Sequence, residues 1–180
     1  GWYEKDAYRN DEKPSHESVW FDMLEKVIGK EAQQRIGLSI TAALEHYTAS
    51  IAETVLKNRD LHDGMPEDMR NMFMWHAAEE IEHKSVAFDV FKDVAHGGYG
   101  ERMLGFTFGS FYLLYYIGLG WGHYLMADKE LNKVSLIPAV LESVPTYFKL
   151  ITETLKSVLP YVKPEFHPDD SDNDLLAKEY

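Results

Sequence analysis

The segment WHAAEEIEHKSVAFDV, Trp75 to Val90, combines two histidines and three glutamates with apolar residues. At about 100° per residue in an α-helix, His76, Glu80 and His83 fall on one narrow stripe. Two imidazoles and a carboxylate on successive turns can converge on a point a few ångströms from the helix. That is the geometry a divalent transition metal requires.

The same stripe carries apolar side chains, namely Phe73, Ala87 and Val90. This pattern predicts that the stripe is the buried face of the helix, whereas Glu82 and Lys84 point away and are expected in solvent. Buried charge is costly unless it is paired. The polar residues of the stripe therefore need a partner on a neighbouring helix.

The segment LSITAALEHYTASIAETVL, residues 38–56, supplies that partner. Glu45 interrupts an apolar stripe made of Leu38, Ala42, Ala49, Ala52 and Leu56. The loop 60–66 is short enough to make the two helices antiparallel neighbours. Glu45 then lies about 17 residues before the loop's centre and Glu80 about 17 after it, so both sit at one level. We predict a metal site formed by Glu45, His76, Glu80 and His83; the alternative is a hydrogen-bonded cluster in which Glu45 accepts from a histidine.

Composition limits the other functions. The chain has 180 residues, 45% of them hydrophobic, no cysteine and a net charge of −12. No Lys/Arg stripe is present, so nucleic-acid binding is not expected. Without cysteine there are no disulfides, thiolate zinc sites or cysteine nucleophiles. There is no G-x-S-x-G motif for a nucleophilic serine.

The organisation predicted is all-α, a single helical domain over residues 1–180. Residues 1–14 form a polar N-terminal loop, and 160–180 form an acidic, loop-like C-terminal tail. The predicted helices are 15–28, 31–59, 66–95, 103–127 and 135–159, with breaks at Gly29 and at His96-Gly97-Gly98. The chain starts without a signal peptide and without Met, which suggests a cut within a longer polypeptide.

The stretch MLGFTFGSFYLLYYIGLGWGHYLMA, Met103 to Ala127, carries no formal charge. Its length would cross a bilayer, but five glycines and four tyrosines interrupt it. It is interpreted as a helix buried by neighbours or lying against a partner; the other reading is a membrane helix. The expected location is cytoplasmic, with membrane association through residues 103–127 left open.

Three segments resemble a known family. TAALEHYTA (residues 41–49), WHAAEEIEHKSVAFDV and the tail YVKPEFHP (residues 161–168) resemble the bacterial family of predicted metal-dependent hydrolases. The likeness spans roughly residues 36–172. That family is similar to the ferritin-like di-iron carboxylate bundles, so the resemblance implies a ferritin-like helical bundle with an extra long apolar helix.

Ferritin-like di-metal sites take a Glu from each of two helices and a Glu-x-x-His from each of two others. By this resemblance Glu45 matches a lone Glu and Glu80-x-x-His83 matches one Glu-x-x-His. His76 looks like the extra ligand of di-iron N-oxygenases of the p-aminobenzoate type. Glu45, His76 and His83 would then be terminal ligands of one metal, with Glu80 bridging toward a second.

The first two ligand helices of such a bundle have no counterpart in the sequence. Glu31-x-x-Gln34 has Gln where a ligand His is needed. The chain is therefore expected to be the second half of the bundle. A missing N-terminal half or a second copy of the chain would complete the site.

Four other residues complete the predictions. His46 is placed at the surface or behind a ligand, and Asp89 is a candidate partner for a ligand histidine. His167 is assigned to a structural turn, the alternative being that it packs over the site. His123 is assigned no role.

Two functional hypotheses follow. The first is an enzyme acting on a small molecule: a metal-dependent hydrolase by resemblance, or an O₂-activating di-iron oxidoreductase by ligand chemistry. Iron is the expected metal, with manganese and zinc as alternatives. The second is a non-catalytic metal-binding or structural module whose apolar helix contacts a membrane or a partner.

Overall fold

The computed structural model of the protein describes residues 22, 23, 25–127 and 136–179. Two compact units are distinguished, Gly1–Gln34 and Arg35–Tyr180. The predicted loop 1–14 lies outside the described residues, as does most of the predicted helix 15–28. In the first unit, residues 22, 23 and 25–28 are helical, and Gly29 follows with a φ of 83°. A left-handed glycine is a common helix terminator, so the predicted break at Gly29 is confirmed.

The described residues are helical throughout their regular structure and contain no strand. The α-helices, numbered in chain order, are α1 Lys30–Lys57, α2 Glu67–His83, α3 Val86–Asp89, α4 Tyr99–Ala127, α5 Leu136–Val158 and α6 Asp174–Ala177. Short 3₁₀ turns cover Arg59–Leu61, Leu159–Val162 and Pro168–Asp170, and a π-helical turn covers Val90–Val94. The all-α prediction is confirmed for this part of the chain.

Helices α1 and α2 form an antiparallel pair with alanine-rich contacts. One core cluster joins Ala52 and Leu56 of α1 to Met74, Ala77, Ala78 and Ile81 of α2. A second joins Ala42 and Ala43 to Ala87 and Phe88, further along the chain. Earlier residues of α1 thus meet later residues of the α2–α3 segment, as an antiparallel hairpin requires. Small side chains allow the two backbones to approach closely.

Helix α4 packs its first three turns on α1 through small residues. A Cβ placed on Gly105 would lie 2.5 Å from the carbonyl carbon of Ser39, and one on Gly109 would lie 3.4 Å from Ala43 Cβ. Tyr47 Oη and Ser110 Oγ are hydrogen-bonded at 2.6 Å. These contacts hold the N-terminal part of α4 against α1.

Between Phe111 and Leu119 the side chains of α4 are largely exposed. The exposed apolar and aromatic residues are Phe111, Tyr112, Leu114, Tyr115, Tyr116, Ile117 and Leu119. The expectation that neighbours within the chain bury this helix is therefore wrong for residues 111–119, most of which are exposed. By length and composition alone the segment Tyr99–Gly120, with mean hydropathy 1.3, could cross a membrane.

The long helix predicted to residue 95 is interrupted at Lys84 and Ser85. Lys84 was expected in solvent, yet it is only 5% exposed. Its ammonium donates to Ser171 O at 2.9 Å, Asn173 Oδ1 at 2.7 Å and Asp174 Oδ1 at 2.7 Å. These acceptors belong to the C-terminal tail, which covers this side of the helix and removes the lysine from solvent.

The tail is more ordered than a loop-like segment. Besides its 3₁₀ turns and α6, it buries Tyr161, Phe166, Pro168, Asn173 and Ala177. Ala177 belongs to the same core cluster as Met74 and Ile81. The tail therefore closes one side of the α1–α2 pair.

His46 does not lie at the surface, one of the two placements predicted for it. Its side chain is 5% exposed and its ring stacks on Tyr161 at 4.9 Å between centroids, with Phe166 edge-on at 4.9 Å. Nε2 lies 3.3 Å from Val158 O. Burial lowers the pKa of His46 from 6.5 to about 4, because the imidazolium is poorly solvated there. His46 is a neutral core residue.

Candidate metal centre

Glu45 lies in the middle of α1 and is partly buried. The pKa of its carboxyl is raised, first by burial and then by the negative charge of Glu80, while His83 acts in the opposite direction. The hairpin therefore brings Glu45 of α1 within electrostatic reach of two residues of α2. Counting the helical rise from the loop predicts this juxtaposition.

His76 is tied to the same group through Glu80. His76 Nε2 and Glu80 Oε1 are 3.5 Å apart, one helical turn from each other. The His76 side chain is 61% exposed and that of Glu80 is 26% exposed. His83 is also exposed. His76 and His83 are thus exposed, whereas Glu45 and Glu80 are partly buried.

The predicted buried face of α2 is displaced by roughly one residue position. Phe73 is 42% and Val90 40% exposed, so the stripe that contains His76 does not face the interior. The interior face is Met74, Ala77, Ala78 and Ile81. Alanines permit a closer approach to α1 than the larger side chains of the other stripe do. The candidate ligands therefore lie along the edge of the α1–α2 contact.

The residues suit a metal in kind. Two carboxylates and two imidazoles are the donors that iron, manganese and zinc accept, and Glu45 faces Glu80 with like charge. Among the described residues, however, no three Asp, Glu or His side chains are gathered closely enough to hold an ion. His76, Glu80 and His83 lie on successive turns of α2, and Glu45 lies on α1.

Asp89 and His167 pair with each other. His167 Nε2 lies 2.8 Å from Asp89 Oδ1, and Asp169 N donates to His167 Nδ1 at 3.2 Å. His167 also caps the turn Pro168–Asp170. The assignment of His167 to a structural turn is therefore confirmed. Asp89 orients this histidine rather than a candidate ligand.

Sequence reasoning passed over His62, which is buried in the loop between α1 and α2. Its side chain is 4% exposed, and neither ring nitrogen has a hydrogen-bond partner in the part of the chain that the structure describes. The sequence gives one signal of a binding residue here: His62 lies between two arginines, Arg59 in the loop and Arg70 in α2.

Comparison with known proteins places the chain by its sequence. No curated protein and no solved structure matches it. A family model described as predicted metal-dependent hydrolase matches residues 4–172. This match covers nearly the whole chain and includes all four candidate ligands. The chain belongs to the family of predicted metal-dependent hydrolases.

Proposed function

We propose that this protein is a metal-dependent hydrolase whose metal is bound by Glu45, His76, Glu80 and His83. The observation that carries the proposal is the position of Glu45, which is partly buried on α1 within electrostatic reach of Glu80 and His83 on α2. A carboxylate pair of this kind is unfavourable in the metal-free protein. A divalent cation between the two carboxylates would remove the repulsion.

Each residue has a distinct part in this proposal. Glu45 would provide a donor from α1, and His83 would provide one from α2. Glu80 interacts with both Glu45 and His76, which suits a carboxylate shared by two neighbours. In the metal-free protein His76 would orient the Glu80 carboxylate, which lies 3.5 Å away. In the metal-loaded protein His76 would itself be a ligand.

A bound divalent metal would supply a Lewis acid for a carbonyl and would lower the pKa of a water molecule. The protein's own residues decide access. The stripe is open on the side of His76 and His83, so a small substrate with an ester or amide group can approach from solvent. Burial and the charge of Glu80 raise the pKa of Glu45, and a bound metal would favour the ionised carboxylate.

O₂ activation is a second candidate, favoured by the donor set. Mixed carboxylate and imidazole ligands without thiolate suit iron or manganese, and in ferritin-like proteins such ligands hold two metals. In this case Glu80 would be a ligand shared with a second metal, whose further ligands would come from another chain. The ferritin-like assignment belongs to this second candidate.

The test is activity after loading with one metal at a time. Iron(II), manganese(II) or zinc(II) is added to the metal-free protein, and ester and amide hydrolysis is measured beside O₂ consumption. Hydrolysis that disappears in Glu80→Gln but persists in Glu82→Gln supports the hydrolase. O₂ consumption with the same dependence supports the second candidate. Metal binding without either activity would favour a non-catalytic metal-binding module and contradict both.

A further inference from the structure

A pocket lies at the loop between α1 and α2, about three helical turns before Glu80 and on another side of α2. Its volume is about 450 Å³, and its lining consists of Arg59, His62, Asp63, Arg70, Asn71 and Met74. Small-molecule sites commonly have volumes of about 300–1,000 Å³. None of these residues belongs to the proposed metal site.

His62 gives this pocket an unmet hydrogen-bonding group. The residue is 4% exposed, and both ring nitrogens are shielded and unpaired within the described residues. An imidazole carries at least one N–H donor in either charge state. A buried donor without an acceptor is unfavourable, and a ligand that brings an acceptor into the pocket would relieve this.

The charges of the lining favour an anion of low charge. Arg59 and Arg70 form no ion pair with any described residue, and Asp63 contributes one carboxylate. Two guanidinium groups against one carboxylate leave a net charge of +1 when His62 is neutral. The neighbouring Asp60 is neutralised by Lys149, whose Nζ lies 2.8 Å from Oδ2. A single excess charge matches a monocarboxylate better than a polyphosphate.

The backbone that carries these side chains is hydrogen-bonded. His62 N and Asp63 N both donate to Arg59 O, at 3.0 and 2.9 Å, and Met65 N donates to His62 O at 3.0 Å. Arg70 N donates to Pro66 O at 2.9 Å in the first turn of α2. Arg59 and Arg70 thus belong to separate hydrogen-bonded turns, one before and one after His62 in the sequence.

We propose that this pocket binds a small organic monocarboxylate. Arg59 and Arg70 would donate to its two oxygens, since a guanidinium is suited to paired hydrogen bonds with a carboxylate. His62 and the Asn71 amide would supply further donors. The Met74 side chain would contact the apolar end of the ligand.

The experiment is an NMR titration of the metal-free protein with butyrate, at constant ionic strength in chloride. The reporter is the ring C–H signal of His62, and inorganic phosphate is titrated in parallel. We expect a saturable shift of His62 with butyrate and weaker binding of phosphate. Because the protein is metal-free, failure here is separate from failure of the metal site.

Variants locate the site. Arg59→Gln and Arg70→Gln are each expected to weaken butyrate binding by about tenfold or more, as loss of a charged hydrogen bond does. Lys92→Gln removes the same charge from an exposed position after α3 and is expected to bind within about twofold of the wild type.

Three results would overturn the proposal: no saturable shift of His62, tighter binding of phosphate than of butyrate, or equal loss in Lys92→Gln. Circular dichroism checks the folding of each variant. Should an arginine variant unfold, the wild-type titration still decides. Butyrate shifts confined to histidines other than His62 would then contradict the assignment.

Discussion

Replacing Gly105 by alanine should force α1 and α4 apart. The added Cβ would lie 2.5 Å from the carbonyl carbon and 2.6 Å from the carbonyl oxygen of Ser39, where ordinary contact begins near 3.4 Å. The nearest atoms include backbone, which cannot rotate away as a side-chain end can. Overpacking of this kind costs about 1–3 kcal/mol.

Gly118, on the same helix, is the matched control. It is exposed, and a Cβ there would meet nothing within 4 Å. Alanine gains about 0.8–1.0 kcal/mol over glycine in a helix interior, and this gain applies to both variants. The difference in free energy of unfolding between Gly105→Ala and Gly118→Ala therefore isolates the steric cost. We expect Gly105→Ala to be the less stable by about 1–3 kcal/mol.

The assay is urea unfolding followed by the helical circular dichroism signal, with equal m-values as the condition for comparison. A difference below about 0.5 kcal/mol would refute the close approach of α1 and α4, because overpacking costs more than that. Gly118→Ala less stable than Gly105→Ala would refute it as well.

Three further predictions rest on other contacts. The folded-state pKa of His46, about 4, lies below its unfolded value, so its contribution to stability is retained above pH 6.5 and lost as the pH falls toward 4. From pH 7 to pH 5 the free energy of unfolding, measured by urea unfolding in EDTA, should drop by about 2 kcal/mol. This drop should vanish in His46→Gln. Lys84→Met leaves the buried Asn173 side-chain oxygen and the partly buried Ser171 carbonyl without their donor and should cost about 1–3 kcal/mol. Lys92→Met should change thermal stability little, and equal effects would contradict the tail contacts. The exposed apolar residues 111–119 predict association with detergent, liposomes or a second copy, and a detergent-free monomer in size-exclusion chromatography would contradict this.

Much of the α1–α2 hairpin could be predicted from the sequence because it depends on local rules. The apolar periodicity predicts a helix over residues 31–59, and α1 is Lys30–Lys57. The level of Glu45 and Glu80 depends only on the rise per residue and on the position of the loop. Helical rise is nearly constant, so such counting survives errors of one or two residues at the helix ends.

Which side of α2 is buried could not be predicted in the same way. Two overlapping stripes compete, one with Phe73 and Val90 and one with Ala77, Ala78 and Ile81. Hydrophobicity favours the first stripe, but close packing against the alanines of α1 selects the second. The choice depends on shape across two helices, which a single periodic pattern does not contain.

Long-range contacts account for the remaining errors. Lys84 is buried by acceptors at residues 171–174, roughly ninety positions later in the chain. His46 is buried by Tyr161 and Phe166, beyond the end of α5. In both cases the polar residue looks solvent-exposed from its own helix. Only the return of the tail supplies its surroundings.

Metal stoichiometry of two neighbouring variants tests the central claim most directly. His83→Ala removes a proposed ligand, whereas Glu82→Gln changes the exposed residue before it. After loading and removal of excess ion, elemental analysis should find up to one metal per chain in the wild type and in Glu82→Gln, and almost none in His83→Ala. Metal absent from the wild type, metal retained in His83→Ala, or equal losses in both variants would contradict the proposed site.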